Sequence, residues 1–132
     1  MTDTHKSTFH ELAEVPPTRI WDGVLARMIH SELITMAIVE LGPDTPVPLH
    51  QHHNEQLGFV ITGSVRFTVD GETRTLGPGG NWRIFADVPH QAESGPDGAV
   101  VAEVYSPVRQ DWVGLPTAAP STPGWPAPAD QG

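Results

Sequence analysis

Cysteine is absent from the 132 residues, which removes disulfides, thiolate metal sites and cysteine nucleophiles together and fits a reducing compartment. Basic residues are few. Seven Lys and Arg stand against sixteen Asp and Glu, a formal charge of −9 at pH 7, so a phosphate backbone is a poor partner and nothing draws the chain to an anionic membrane. No apolar run approaches the roughly 20 residues that cross a bilayer. Residues 1–17 carry Asp3, His5, Lys6, His10, Glu11 and Glu14 where a signal peptide would have its hydrophobic core. A soluble, cytoplasmic protein is expected, with a small molecule as its partner and neither nucleic acid nor membrane.

A sustained helical period is missing as well. Short, partly β-branched apolar runs alternate instead with explicit turn residues. Ile20 to Ile29 is broken by Asp22-Gly23, Glu32 to Leu41 stops at Gly42-Pro43-Asp44, and Pro46 and Pro48 hold the chain extended into His50. Further strands are expected at 56–61, 65–69, 72–76, 81–86 and 99–105, separated by turns at Gly63-Ser64, Asp70-Gly71, 77–80 and 95–98. This pattern predicts a single all-β domain, a barrel or double-sheet sandwich. Residues 1–18 read as a flexible N-terminal segment, 19–113 as the β-barrel domain and 114–132 as a Pro/Ala-rich C-terminal tail. The tail is expected to be solvated, with Trp125 as the one large aromatic that would gain by docking.

The densest chemistry lies in 49–62, LHQHHNEQLGFVIT, where three histidines, Glu55 and Gln56 precede an apolar run. On an extended chain His50 and His52 share one face, so their imidazoles can converge on one ion. Gln56 keeps that parity if the intervening residues form a slight bulge, with Glu55 as the alternative third ligand. His90, after Val88-Pro89, is the natural fourth. His53 has the opposite parity, and His30 reads as a surface histidine. Imidazole and oxygen donors suit a divalent first-row ion: Mn, Fe, Ni, Co or Zn.

Two blocks emerge. Gly42 is followed by His50-Gln51-His52, Gln56 and Gly63, and a second block runs from Gly79 to His90. Together they resemble the two motifs of the cupin superfamily over about residues 19–112. The resemblance implies a single-domain cupin jelly-roll β-barrel with one divalent transition metal, and it places His50, His52, Gln56 and His90 at the metal-ligand positions. Three departures stand out: Gln56 for a glutamate, Phe85 for a proline and Asp87 for a glycine. A neutral amide ligand would leave the full double charge on the ion and make it a stronger Lewis acid.

The stretch Glu103-Val104-Tyr105-Ser106-Pro107-Val108-Arg109 is similar to the end of small cupins of pectin degradation, which act on unsaturated uronates and also use a glutamine ligand. That similarity implies Glu103 as general acid/base, Tyr105 as wall or proton donor and Arg109 as carboxylate clamp. Arg109 could equally pair with Asp111 or hold a dimer interface. The resulting expectation is a metal-dependent enzyme that rearranges, ring-opens or isomerises a small oxygenated substrate, working as a homodimer as other small cupins do by pairing or exchanging edge strands. An Fe(II)-dependent dioxygenase, a polyketide-cyclase-like cupin with an apolar pocket of Phe59, Phe67, Trp82 and Phe85, and a non-catalytic binding module are the alternatives.

Overall fold

The computed structural model describes residues 5–126. Eight strands follow one another as β1 (Thr18–Trp21), β2 (Val24–His30), β3 (Thr35–Leu41), β4 (Pro46–His50), β5 (Glu55–Val69), β6 (Glu72–Leu76), β7 (Asn81–Ile84) and β8 (His90–Ser106). Among the described residues the only helical element is one 3-10 turn, Leu12–Glu14. The strand order is β1-β2-β3-β8-β5-β6, with β4 added to β8 and β7 added to β5. Every pairing is antiparallel. The fold is the expected jelly-roll barrel, closed around a core that includes Val24, Ala26, Val60, Val65, Trp82, Ile84 and Val101.

Two expected turns are not turns. Gly63-Ser64 and the 95–98 stretch lie inside β5 and β8, which run 15 and 17 residues without a reversal. Each long strand serves both halves of the barrel. The first half of β5 pairs with β7 and the end of β8, whereas Val65 to Val69 pairs with β6 and the start of β8. The glycines bend the strands rather than end them. Gly63 and Gly98 hold φ of 76° and 74°, and a Cβ on Gly63 would collide with the Gly98 carbonyl oxygen. Register shifts flank Gly63 on both sides, as bulges do where a sheet folds over. At Asp70-Gly71, by contrast, both residues have positive φ and the expected hairpin forms.

The C-terminal segment also departs from expectation, because its described part lies against the barrel. Ala118 N–H donates to the Pro17 carbonyl at 2.7 Å. Arg27, on the outer face of β2, donates to the Ser121 carbonyl and hydroxyl at 2.7 and 3.1 Å and to Glu40 at 2.9 Å. Gly124 N–H donates to the other oxygen of Glu40. An Arg–Glu pair on a sheet face gives the tail the polar anchors that its prolines cannot supply. With 3% of its surface exposed, Arg27 is buried by this cover.

Candidate metal centre and barrel mouth

His50 closes β4 and His90 opens β8, and the register sets them directly opposite each other. His52 lies in the loop between β4 and β5 rather than on a strand. The convergence of His52 therefore owes nothing to strand parity, contrary to the expectation. Asn54 fixes the loop. It is 1% exposed, its carbonyl accepts from His52 Nδ1 at 3.0 Å, and its amide donates to the carbonyls of Pro107 and Val108 at 2.6 and 3.3 Å.

The three imidazoles share one design. Each Nδ1 donates to a backbone carbonyl two residues away: His50 to Pro48 at 2.7 Å, His52 to Asn54 and His90 to Val88 at 2.8 Å. That fixes the tautomer and leaves every Nε2 as a lone-pair donor. The ligand atoms of the three lie within 4.8 Å of one another. Burial, chiefly, lowers all three pKa values, and His90 falls to about 4 with further push from the neighbouring imidazoles and Arg109. The cluster is neutral at physiological pH, the state that coordinates a metal.

Gln56 faces the histidine cluster and Glu55 does not. Glu55 is exposed, while Gln56 is buried on the inner face of β5 with its Oε1 3.1 Å from His52 Nε2. With His52 Nδ1 committed to Asn54, this contact brings two lone-pair atoms together, an arrangement that a cation between them would satisfy. The residues therefore fit a transition metal on their own geometry. The Gln56 amide is turned this way because its NH2 donates to Glu103 Oε2.

Glu103 sits opposite Gly58 on the inner face of β8. Its Oε2 also accepts from the Tyr105 hydroxyl at 2.6 Å. Burial pushes the Glu103 carboxyl up to about 7, although Tyr105, Arg109 and Gln56 pull it back. Burial and the Glu103 charge raise the Tyr105 phenol well above its ordinary value.

Arg109 is buried, and it both lines the pocket and pairs with Asp111. Its Nε and Nη2 meet the two Asp111 oxygens at 3.0 and 2.8 Å, and its guanidinium lies 3.8 Å from the Trp112 ring centroid and 4.8 Å from that of Tyr105. Its N–H donates to Thr35 Oγ1 at 3.0 Å, and the same oxygen meets His30 Nδ1 at 2.8 Å. His30 is thus half-buried, and its hydrogen bond makes it the satisfied histidine expected.

Two spaces meet at these residues. An inner cavity of about 50 Å³ is bounded by Gln56, Glu103, Tyr105, Trp82 and Phe67. The mouth above it, about 360 Å³, is walled by Trp21, His50, His52, Arg109, Asp111 and Trp112. Phe59 and Phe85 face outward, 48% and 52% exposed, so the expected pocket of four aromatics keeps only Phe67 and Trp82. Asp87, at the position where the motif has a glycine, adopts φ of 61°, a conformation Asp tolerates better than most residues. Asn54, Thr35 and Trp21 were not singled out from sequence. Only Asn54 carried a signal, its place between the second histidine and the glutamine.

The family profile Cupin_2, described as Cupin domain, matches residues 37–105. The pectin degradation protein KdgF of Dickeya dadantii (strain 3937) is 26% identical over 102 residues, spanning 76% of this chain and 93% of that protein. Among solved structures, an RmlC-like cupin from Shewanella frigidimarina NCIMB 400 superposes with a TM-score of 0.76 at 22% identity, covering 82% of this chain and 97% of the other. KdgF from Halomonas sp. does so with a TM-score of 0.75 at 23% identity, covering 80% and 98%.

Proposed function

The chain belongs to the cupin domain family, and from that premise we propose that it is a metal-dependent enzyme that rearranges, ring-opens or isomerises a small oxygenated carboxylate such as an unsaturated uronate. The observation that carries this reading is the Gln56 amide, whose oxygen faces the histidine cluster while its NH2 holds Glu103. Metal ligands and a proton-carrying carboxyl are thereby joined through one side chain. His50, His52 and His90 through Nε2, and Gln56 through Oε1, would hold one divalent first-row ion. Such an ion supplies Lewis-acid polarisation of a substrate carbonyl or hydroxyl oxygen, undiminished by any ligand carboxylate.

The remaining work belongs to the chain. The inner cavity is the smaller of the two spaces and takes a small group, and the substrate body rests in the mouth. Arg109 orients the substrate carboxylate through the N–H groups that Asp111 leaves free, its guanidinium held by Asp111 and by stacking on Trp112. Glu103 gives or takes the proton, and the Tyr105 hydroxyl stabilises its carboxylate form. The similarity to a pectin degradation protein supports a uronate as the substrate class.

The test combines metal analysis with turnover of an unsaturated uronate, followed by loss of the ultraviolet absorbance of its conjugated alkene and carboxylate. One ion per chain and turnover are expected, both lost in His52→Ala and Gln56→Ala. Unchanged metal content and turnover in these variants would end the assignment, and oxygen uptake that requires iron would replace it with oxygenase chemistry.

A further inference from the structure

Trp21 stands apart from the other aromatic side chains that line the cavity and the mouth. Phe67, Trp82, Tyr105 and Trp112 are 8%, 8%, 4% and 7% exposed. Phe67 and Trp82 lie against each other with centroids 4.7 Å apart, and Trp112 carries Arg109 at 3.8 Å and Tyr105 at 5.0 Å. Trp21 is half-buried, lines both spaces, and among the described residues meets one ring, that of His50, at 5.0 Å and a tilt of 55°. A local irregularity puts it there. On a regular strand Ile20 and Trp21 would face opposite sides, but the β1–β2 register slips between Arg19 and Trp21, and both side chains line the site. Trp21 then pairs with Val24 across the Asp22-Gly23 reversal. Gly23 holds φ of 77°, its carbonyl accepts from Gly42 N–H at 3.0 Å, and a Cβ there would come within 2.9 Å of the Thr45 side chain. The indole is thus carried on a turn tied to the barrel, as a fixed wall.

We propose that Trp21 is the specificity-determining residue of the mouth, the platform that selects a carboxylate carried on a ring over an open-chain one. The inference rests on the carboxylate reading of the site given above and adds a shape requirement to it. Arg109 answers any carboxylate, so it does not tell a cyclic acid from an acyclic acid of the same charge. Gln56, Glu103 and the histidines address single oxygens and protons, which both kinds of acid present. Discrimination therefore falls to a surface that is flat, apolar and accessible, and Trp21 is the aromatic of the site that meets all three conditions. The C–H bonds on one face of a sugar ring point their partly positive hydrogens at the negative face of an indole. An open chain loses conformational freedom when it is laid flat on the same surface, and a ring does not. The mouth, about 360 Å³, has room for such a ring.

Calorimetric titration of the metal-loaded full chain compares methyl α-D-galacturonide, whose ring is locked, with gluconate, an open-chain acid of equal charge. Wild-type protein is expected to prefer the ring by about 10-fold in Kd, the order of one aromatic contact. Trp21→Ala and Trp21→Leu should bring the two constants to within about twofold of each other, by weakening the galacturonide alone. Trp21→Phe should restore most of the preference. Metal content should stay at the wild-type level in all three variants. In turnover of the unsaturated uronate, KM should rise about 10-fold in Trp21→Leu with a smaller change in kcat. A ring preference that survives Trp21→Ala and Trp21→Leu, or equal or absent binding of the two acids by the wild type, would overturn the proposal. So would metal loss in Trp21→Leu, which would make the indole a support for His50. A Trp21-dependent ring preference without turnover would remove the assigned reaction and keep the platform, whereas turnover with an unchanged KM in Trp21→Leu would do the reverse.

Discussion

The two halves of β5 read oppositely. From Val65 to Val69 the strand follows the usual rule, with Val65 and Phe67 inside and Arg66 outside, paired to Glu93 at 2.7 Å. From Gln56 to Phe59 the rule inverts: Gln56 is buried, Leu57 and Phe59 are exposed, and Gly58, opposite Glu103, leaves room for Trp82. The same inversion holds on β8, where Glu103 and Tyr105 point in and Val104 points out. A barrel that must hold ligands inside spends inward positions on polar groups, and the outward positions then carry apolar surface. Departures from patterning mark the working half of the strand.

This contrast can be broken from either side. The largest expected effect is at Glu103. Glu103→Gln keeps the bonds to Gln56 and Tyr105 but removes the proposed proton carrier, and turnover should fall about 10²- to 10⁴-fold, with metal content unchanged. The same variant sharpens the electrostatics of the metal-free protein. Glu103 has a folded pKa of about 7 against 4.5, so its contribution is present below 4.5 and lost as pH rises through 7. His90, held at about 4 against 6.5, acts oppositely, and its contribution is lost as pH falls from 6.5 to 4. Urea midpoints at about pH 5 and about pH 8 should show Glu103→Gln gaining stability over the wild type at the higher value.

Next in size is the ordinary half. Val65→Ala, at a residue 2% exposed, should cost about 2 kcal/mol in urea unfolding. Leu57→Ser should cost less than about 0.5 kcal/mol under dilute, monomeric conditions. Equal costs would dissolve the distinction between the halves. A smaller effect than that at Glu103 is expected at Asn54. Asn54→Ala loses the tie between the histidine loop and the Pro107 strand end, and metal affinity measured by competition with a chelator should fall about 10-fold, the low end for an outer partner.

Much of the architecture was legible because β-strands and tight turns are local. Asp22-Gly23 and Asp70-Gly71 turn the chain where expected, and the pairings β1 with β2 and β5 with β6 follow. The glycines at 63 and 95–98 carried the same local signature yet became bends, since each strand found partners on both sides of its glycine. Histidine spacing was readable too, because ligands near in sequence are near in space. The partner that orients Gln56 lies 47 positions away, and no local pattern announces it.

The sequence by itself determined the all-β class, the turns at Asp22-Gly23 and Asp70-Gly71, the grouping of His50 and His52 with His90 as their distant partner, and the oddity of an acid at 103 within an apolar run. Tertiary structure decided what those residues mean. It turned the Gln56 amide by placing Glu103 behind it, locked each imidazole tautomer with a carbonyl, and buried Arg109 between aromatics with Asp111 in its fork. It also laid the tail over Arg27 and left Leu57 bare. The reason is physical: secondary structure follows from bonds and periods along the chain, whereas burial, tautomer and charge depend on groups that only folding brings together.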